Sequence, residues 1–327
     1  TVKWTKNFPY AVRGPALSKD GTTLYVVGTG TGGSFNDSIY AIYTSDGSRK
    51  WATRPSSYGG SWMSQPALDE GDSTLYAVNG GPTTVGSLVA VRTSNGTQKW
   101  EKMAWAYTGV SPGVSKGDSL VYQASSDGTM RAFYTSDGSV KWTASATSGW
   151  ANNPPVNSLG DSVLYVLMGK SNTDSAGLRA IRVSDGTTKW VYWTNPAFGW
   201  PNNAGVVADA QGNVYFSASN GLYSISSNGS LRWRYRPMAV GGPLGQIAIG
   251  KKGTIYFGYS DATNRLVALG NGSSIPVEEE NQNLKTESQK LEIYPNPFST
   301  LTRISVGIEQ SATQYGGAEG KGTNTLS

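Results

Sequence analysis

Cysteine and histidine are both absent from this chain of 327 residues. The absence of cysteine excludes disulfide bonds, thiol catalysis and thiolate metal sites, and the absence of histidine removes the usual general base and the commonest transition-metal ligand. No apolar run is long enough to span a membrane. Charged residues make up only 15% of the chain and form no basic cluster or stripe, so neither a membrane span nor a nucleic-acid partner is expected.

Glycine and aromatic residues are abundant instead. The chain contains 42 glycines, and aromatic residues reach 11%, with 11 tryptophans and 18 tyrosines. Tight turns between short strands need many glycines, and aromatic residues favour strands. The composition therefore predicts an all-β protein.

One seven-residue motif occurs five times and divides the chain. Each copy reads Ser, Asp or Asn, Gly, Ser or Thr, any residue, Lys or Arg, Trp, and each follows a short alternating run. The Asp-Gly and Asn-Gly pairs favour a tight turn with positive φ, so each copy predicts an antiparallel hairpin. The copies are Ser45 to Trp51, Ser94 to Trp100, Ser136 to Trp142, Ser184 to Trp190 and Ser227 to Trp233.

A sixth copy is split between the two ends of the chain. Gly270 to Ser273 begins it after the alternating run Leu266 to Leu269, and Thr1 to Trp4 supplies the missing Lys-Trp half. An N-terminal strand that completes the last repeat would close a ring and leave no free sheet edge.

The spacing of the copies predicts four short strands in each unit. Successive motif tryptophans are 42 to 49 residues apart, and four-stranded repeats of about this length, arranged around an axis, form a β-propeller. The second strand of every unit carries a tyrosine at one register, which favours a packing role; the six are Tyr25, Tyr76, Tyr122, Tyr165, Tyr215 and Tyr256. We predict an all-β, six-bladed β-propeller of four-stranded blades over residues 1–273, closed by the N-terminal strand.

The repeat resembles that of the pyrroloquinoline-quinone-like repeat family of propellers. In that family it runs through an x-Tyr-Val strand and an Ala-containing strand to Asp-Gly-x-x-x-Trp. The resemblance implies that each motif tryptophan docks against the neighbouring blade, so its replacement by alanine would cost about 3–5 kcal/mol. Related quinoprotein dehydrogenases hold a quinone and a calcium ion with acidic and amide residues and adjacent cysteines. No matching set is found here, so no cofactor and no metal site are expected.

The composition changes after the last repeat. Residues 274–290 are polar and acidic, and we interpret them as a flexible linker. In residues 291–327, the segment Leu291 to Phe298 with its Tyr-Pro-Asn-Pro-Phe core resembles the start of the C-terminal sorting domain of type IX secretion. The remaining strands of that domain are not recognisable, so this resemblance implies a partial, poorly ordered sorting segment and a secretion machinery as partner.

Ligand contacts are predicted in the connections between the fourth strand of one unit and the first strand of the next. These connections share a face with those between second and third strands, around the mouth of the central channel. Aromatic rings, amides and an arginine suit a sugar, because rings stack on it while amides and guanidinium groups bind its oxygens. The predicted ligand-binding residues are Trp62, Trp150, Trp200, Trp105, Tyr107, Asn152, Asn153, Asn202, Asn203 and Arg13.

Two alternatives stay open for these residues. The tryptophans could only cover the blade ends, and a lyase that uses tyrosine and arginine could act on a polysaccharide, since Tyr10, Tyr58 and Arg54 fall on the same face. No pair of carboxylates suggests a glycosidase. The sequence therefore predicts a secreted or cell-surface, monomeric and non-catalytic propeller that binds a glycan, with a polysaccharide-active enzyme or a purely structural or protein-binding module as alternatives.

Overall fold

The computed structural model describes residues 1–8, 11–29, 38–55, 62–81, 84–103, 110–125, 129–145, 150–151, 154–158, 160–170, 175–194, 205–218, 221–235, 242–250, 253–260, 265–270, 292–293 and 302–303. All regular structure in these residues is β-strand, as the composition predicts. Contacts divide the chain into two units, Thr1–Glu279 and Glu280–Ser327. The predicted linker lies outside the described residues.

The first unit contains six antiparallel sheets that follow one another along the chain. Sheet 1 has strands β1 (Ala11–Leu17), β2 (Thr23–Thr29), β3 (Ser38–Tyr43) and β4 (Arg49–Thr53). Sheet 2 has β5 (Trp62–Met63), β6 (Ala67–Leu68), β7 (Thr74–Gly81), β8 (Thr84–Arg92) and β9 (Gln98–Met103). Sheet 3 has β10 (Gly113–Val114), β11 (Leu120–Ala124), β12 (Met130–Tyr134) and β13 (Val140–Ala144).

The remaining three sheets complete the first unit. Sheet 4 has β14 (Trp150–Ala151), β15 (Val156–Asn157), β16 (Val163–Lys170), β17 (Ser175–Arg182) and β18 (Thr188–Trp193). Sheet 5 has β19 (Val206–Ala208), β20 (Val214–Ala218), β21 (Gly221–Ile225) and β22 (Leu231–Tyr235). Sheet 6 has β23 (Gly242–Ile249), β24 (Ile255–Ser260) and β25 (Arg265–Leu269). The second unit contributes one pair, β26 (Glu292–Ile293) with β27 (Thr302–Arg303).

Strands pair in chain order, which is the plan predicted for each repeat. In sheets 2 and 4 the first strand is divided into two short pieces that both pair with the second strand. In sheet 1 the first strand is continuous but changes register between Arg13 and Ala16. Such a shift inserts extra residues and bends the strand. It separates the residues that precede it from the regular part of the sheet.

Both faces of the sheets are apolar, because a sheet between two neighbours is buried on both sides. Between sheets 3 and 4, Tyr122 and Ala132 pack against Leu164 and Ile181. Similar clusters join sheets 1 and 2, 2 and 3, 4 and 5, and 5 and 6. The core is therefore a series of interfaces between consecutive sheets.

The motif tryptophans connect each sheet to the next, as the family resemblance implies. The indole nitrogens of Trp51, Trp100, Trp142 and Trp190 donate hydrogen bonds of 2.8–2.9 Å to carbonyl oxygens of the following sheet. Each ring also lies near the repeated tyrosine of its own sheet, with centroids 5.9–6.1 Å apart. The packing role predicted for these four tryptophans is confirmed. The turn expected after Trp233, at Asn271-Gly272, lies outside the described residues.

Carboxylates join the turns between the first two strands of neighbouring sheets. Asp118 of sheet 3 accepts hydrogen bonds from the backbone N–H groups of Glu70, at 2.7 Å, and Gly71, at 3.3 Å. Asp72 accepts one from the N–H of Lys19 in the same way. Asp72 and Asp118 have φ values of +53° and +56°, and aspartate tolerates this left-handed region better than most residues. These bonds fix sheets 1, 2 and 3 as consecutive neighbours.

The two ends of the first unit differ from the other repeats. In the described residues β25 pairs with β24 but has no strand on its other edge, and Thr1–Phe8 form no strand. Leu266 is 49% exposed, whereas residues at the same position of other sheets, such as Leu88 and Leu178, are fully buried. The six sheets fit a propeller, but the strand pairing that would close a ring is not present in this part of the chain.

Candidate functional site

The predicted ligand residues whose backbone the structure describes belong to one end of the sheets. We call this the loop end, where the first strand of a sheet begins, the second ends, the third begins and the fourth ends; the opposite end is the turn end. In sheet 1, for example, Ala11 pairs with Thr29 at the loop end, and Leu17 pairs with Leu24 at the turn end. The loop end is the edge from which the longer connections leave.

Trp62 and Trp150 occupy equivalent backbone positions at the loop end. Trp62 pairs with Gly80 and Trp150 pairs with Gly169, and each glycine lies four residues after the repeated tyrosine of its sheet. The alignment of these two tryptophans, inferred from spacing alone, is therefore confirmed for the backbone. A glycine opposite an aromatic residue leaves space beside the ring. That space suits either a bound ligand or a ring folded over the strand.

The other predicted site residues are placed only in part. Arg13 lies in β1 opposite Val27, just before the register shift of that strand. Its side chain, like those of Trp62 and Trp150, lies outside the described part of the structure. So do the remaining predicted residues, which are Trp105, Tyr107, Asn152, Asn153, Trp200, Asn202 and Asn203. Their grouping around one mouth stays a prediction.

Buried polar side chains line the loop end of sheet 2. The Ser87 hydroxyl donates a 2.6 Å hydrogen bond to Oε1 of Glu101, and Ser87 is fully buried. The Oε2 atom of Glu101 is also buried, and no described residue forms a hydrogen bond with it. Ser64 accepts a 2.9 Å bond from the N–H of Val78 through its hydroxyl. Burying an unpaired polar atom is costly, so such groups are often retained for function.

Sheet 3 has a second polar group at the same end. Gln123 and Arg131 face each other across β11 and β12, and Gln123 is fully buried. Nη1 of Arg131 donates a 3.0 Å hydrogen bond to the hydroxyl of Ser125. The Oε1 atom of Gln123 has no hydrogen-bond partner among the described residues. An amide acceptor and a guanidinium donor therefore lie side by side below the loop end.

Sheet 4 repeats this arrangement with Arg179, which is only 4% exposed. Its Nε and Nη2 donate to the hydroxyl of Thr188 at 2.9 and 2.7 Å, and its Nη1 donates to the carbonyl oxygen of Ser145 in sheet 3 at 2.9 Å. Burial lowers the pKa of Arg179 from its usual value. A guanidinium stays protonated under ordinary conditions, so a positive charge is buried here.

An aromatic group occupies the loop end between sheets 4 and 5. Phe216 and Tyr223 stack with ring centroids 5.0 Å apart, and Tyr192 of sheet 4 lies 6.2 Å from Tyr223. The guanidinium carbon of Arg234 lies 5.5 Å from the Tyr223 ring centre. Burial raises the pKa of Tyr192, so its hydroxyl stays protonated well above neutral pH.

Sequence reasoning missed these polar groups, although one signal was available. Arg131 and Arg179 both stand directly before the alanine of the third strand, at the position that Tyr40 and Val89 fill in sheets 1 and 2. A buried strand face with an arginine at a repeated apolar position indicates a special role. The alternating pattern alone assigns no role to either arginine.

Two clefts lined by described residues are at the turn end. One cleft of about 490 Å³ lies beside Asp161, Val183, Arg182 and Lys189, and another of about 330 Å³ lies beside Glu70, Lys116, Asp118 and Asn157. Both are shallow, and neither contains an aromatic side chain. The loop end remains the better candidate, because it combines aromatic positions with buried hydrogen-bonding groups.

Solved structures with the same architecture include two quinone-dependent enzymes. Quinohemoprotein alcohol dehydrogenase ADHIIG from Pseudomonas putida HK5 is 13% identical with a TM-score of 0.59, over 84% of this chain and 55% of its own. The corresponding enzyme from Comamonas testosteroni is 13% identical with a TM-score of 0.57, over 75% and 50%. This chain thus spans about half the length of either dehydrogenase. At this identity the likeness shows a shared β-propeller fold.

The described residues contain few carboxylates in positions that could bind a cation. Among them, no group of three or more acidic, histidine or cysteine side chains could hold a metal ion. At the loop end, the one described carboxylate on a strand is Glu101, and the hydroxyl of Ser87 already donates a hydrogen bond to it.

A search for membrane-spanning helices gave none: among the described residues, no helix is long and apolar enough to cross a membrane.

The family comparison agrees with the repeats. BamB from Moraxella catarrhalis is 12% identical with a TM-score of 0.47, over 78% of this chain and 82% of its own. No curated protein sequence matches the chain. The PQQ_2 family model, described as outer membrane protein assembly factor BamB, matches residues 36–274. The chain therefore belongs to the PQQ_2 family of β-propellers with pyrroloquinoline-quinone-like repeats.

Proposed function

We propose that this chain is a non-catalytic glycan-binding propeller that acts outside the cell, and that the loop end of its sheets is the binding surface. The observation that carries the proposal is the equivalent register of Trp62 and Trp150, each opposite a glycine. Two tryptophans at the same strand register in repeated units can provide stacking positions for successive sugars of one chain. Amides and hydroxyls nearby would bind the sugar oxygens.

The proposal includes a ring of six blades closed by the N-terminal segment. Trp4 supports this closure, because its indole nitrogen donates a 2.9 Å hydrogen bond to the carbonyl oxygen of Thr44, as the motif tryptophans do in the next sheet. Gly47 lies against the ring of Trp4 as Gly96 lies against Trp51. Trp4 thus takes the place of the tryptophan that sheet 6 lacks. A closed ring holds all loop ends around one mouth.

The proposed location has two supports. The family description names an outer membrane assembly factor, which favours the cell envelope or surface. The Tyr294 to Phe298 sequence resembles the start of a type IX sorting domain, which favours export. Attachment of the second unit to a reporter protein tests the sorting role, because export of the reporter by cells that have this secretion system is the expected result.

A glycan array tests the binding role. The full chain is expected to bind a subset of glycans, and Trp62→Ala and Trp150→Ala are each expected to remove that binding while the circular dichroism spectrum is unchanged. Tyr134→Ala is the matched control, because Tyr134 is a 41% exposed aromatic residue at the turn end. Unchanged binding in both tryptophan variants would refute the site, and no binding to any glycan would refute the function.

A protein-binding module is the second candidate, and the family description as an assembly factor favours it. In that case the chain would retain a protein from envelope extracts but bind no array glycan. A lyase is distinguished by its products, since unsaturated sugars absorb near 230 nm.

A further inference from the structure

The two ends of the first unit differ in charge. Every described aspartate of the chain lies in a turn at the turn end; these are Asp20, Asp46, Asp69, Asp72, Asp118, Asp137, Asp161, Asp185 and Asp209. Lysines such as Lys19 and Lys116 stand among them, so the charges of the turn end alternate in sign. At the loop end, Glu101 is the described carboxylate. Among the described side chains of the loop end, cations therefore outnumber carboxylates.

Those cations include Arg54, which is exposed just after β4, and one arginine in each of sheets 3, 4, 5 and 6. Arg131 and Arg265 lie in the first half of the third strand and Arg234 in the second half of the fourth, and both halves belong to the loop end. Arg179 is the fifth of the eight residues of β17, and its Nη1 donates to the carbonyl oxygen of Ser145, just beyond the loop end of β13. Lys102 lies on β9, but its Cγ packs beside the turn position of Gly138. It therefore does not add to the loop end.

Arg179 is the most deeply placed of these arginines. Its described partners are a hydroxyl and a carbonyl oxygen, and no described carboxylate contacts it. A buried charge is costly unless an opposite charge compensates it. A guanidinium has five N–H donors, and three bonds leave donors available for an anion. Arg131, with a single described bond to Ser125, has still more donors available.

We propose that the loop end recognises an acidic glycan, and that Arg131 and Arg179 bind its carboxylate or sulfate groups. This inference rests on the proposed glycan-binding function and narrows its ligand class. Guanidinium groups bind planar carboxylates and sulfate oxygens through paired donors. Trp62 in sheet 2 and Trp150 in sheet 4, the two neighbours of the sheet that carries Arg131, would supply the stacking surface that an uncharged sugar ring requires.

An acidic glycan fits this arrangement better than a nucleic acid. The arginines occur singly, one per sheet, and they are interleaved with amide and aromatic side chains. Nucleic-acid grooves instead carry a continuous basic path along the phosphate backbone. A polymer with charges at intervals of one or more sugar units matches separated cations.

Matched neutral and charged polymers test this proposal on the full chain. We use dextran with dextran sulfate, and methyl-esterified with de-esterified polygalacturonate, and measure Kd by calorimetry at several salt concentrations. The charged member of a pair should bind at least about tenfold more tightly, and its Kd should rise with salt. Arg131→Gln and Arg179→Gln should each weaken binding about tenfold and reduce the salt dependence.

The controls separate the possible outcomes. Arg182→Gln removes a cation from the turn end of the same sheet and should leave Kd unchanged. Arg131 is only half-buried, so its variant keeps the test valid if Arg179→Gln fails to fold. Preference for the neutral polymers would overturn this inference but not the proposed function, whereas binding to no glycan would overturn both. A DNA oligonucleotide that binds as tightly as the charged polysaccharides would also overturn the inference. So would a Kd that does not change with salt, because it would show that the guanidinium charges are already neutralised within the chain.

Discussion

The indole nitrogen of Trp142 donates a 2.8 Å hydrogen bond to the carbonyl oxygen of Val183 in the next sheet. The same ring covers Gly186, where the Cβ atom of a larger residue would lie 2.8 Å from two indole carbons. The motif therefore joins two sheets at once. Its tryptophan reaches forward to the next turn, and the glycine of that turn leaves room for the ring.

Gly186→Ala is expected to destabilise the fold much more than Gly117→Ala. The two glycines have nearly the same φ, +77° and +78°, so the backbone strain of an alanine should destabilise the fold by about 1 kcal/mol at either position. Only Gly186 has a ring against it, since nothing lies within 4 Å of the Gly117 position. Overpacking should add about 2 kcal/mol at Gly186. Denaturant unfolding measures both, and equal losses would show that the ring simply moves aside.

Asp137→Asn is expected to remove part of the acid sensitivity of the fold. Hydrogen bonds from the backbone N–H and the hydroxyl of Ser139 lower the pKa of Asp137. A lowered folded-state pKa contributes stability above the unfolded value of about 4, and that stability is lost as pH falls through the folded value. Asn95 accepts the same two bonds from Thr97 in sheet 2, so asparagine can replace the acceptor.

The measurement for this variant is the unfolding free energy between pH 2 and pH 7. The wild type should lose stability more steeply than Asp137→Asn below about pH 4, and the two curves should run parallel above about pH 5. Parallel curves over the whole range would mean that the negative charge of Asp137 adds no stability beyond the hydrogen bonds that asparagine also accepts.

The sequence predicts the turn end of this protein well because the relevant signals are local. An Asp-Gly pair and a tryptophan four residues after the glycine specify a turn and a packing position within one hairpin, as at Asp137 and Trp142. The polar loop end is different. The burial of Gln123 and Arg179 depends on sheets that are distant along the chain, and alternation within one strand cannot reveal it.

Val183→Thr is expected to stabilise the fold by about 1 kcal/mol. Thr93 and Thr135 occupy the same position in sheets 2 and 3, and their hydroxyls donate to the carbonyl oxygens of Asp72 and Asp118. Val183 lacks this donor. Tyr122 packs in the same buried cluster as Val183, and its hydroxyl has no hydrogen-bond partner among the described residues, so a threonine at position 183 would bring an acceptor into that cluster.

A double-mutant cycle with Tyr122→Phe separates the two contributions. If the new hydroxyl accepts a hydrogen bond from Tyr122, Val183→Thr should raise the unfolding free energy less in the Tyr122→Phe background than in the wild type. A gain of the same size in both backgrounds would assign it to the Asp161 turn alone. A loss of stability in both would mean that the extra hydroxyl remains unpaired.

Trp4→Ala is expected to destabilise the first unit by about 3–5 kcal/mol, as much as Trp142→Ala. The reason is that Trp4 makes the hydrogen bond and the glycine contact of a motif tryptophan, although it lies at the start of the chain. Val2→Ala is the matched control, because Val2 is 81% exposed and its loss should be within about 0.5 kcal/mol. Urea unfolding of the three variants gives the comparison. If Trp4→Ala costs no more than Val2→Ala, residues 1–8 are a surface arm and do not close the ring; if it matches Trp142→Ala, the split motif completes the last blade.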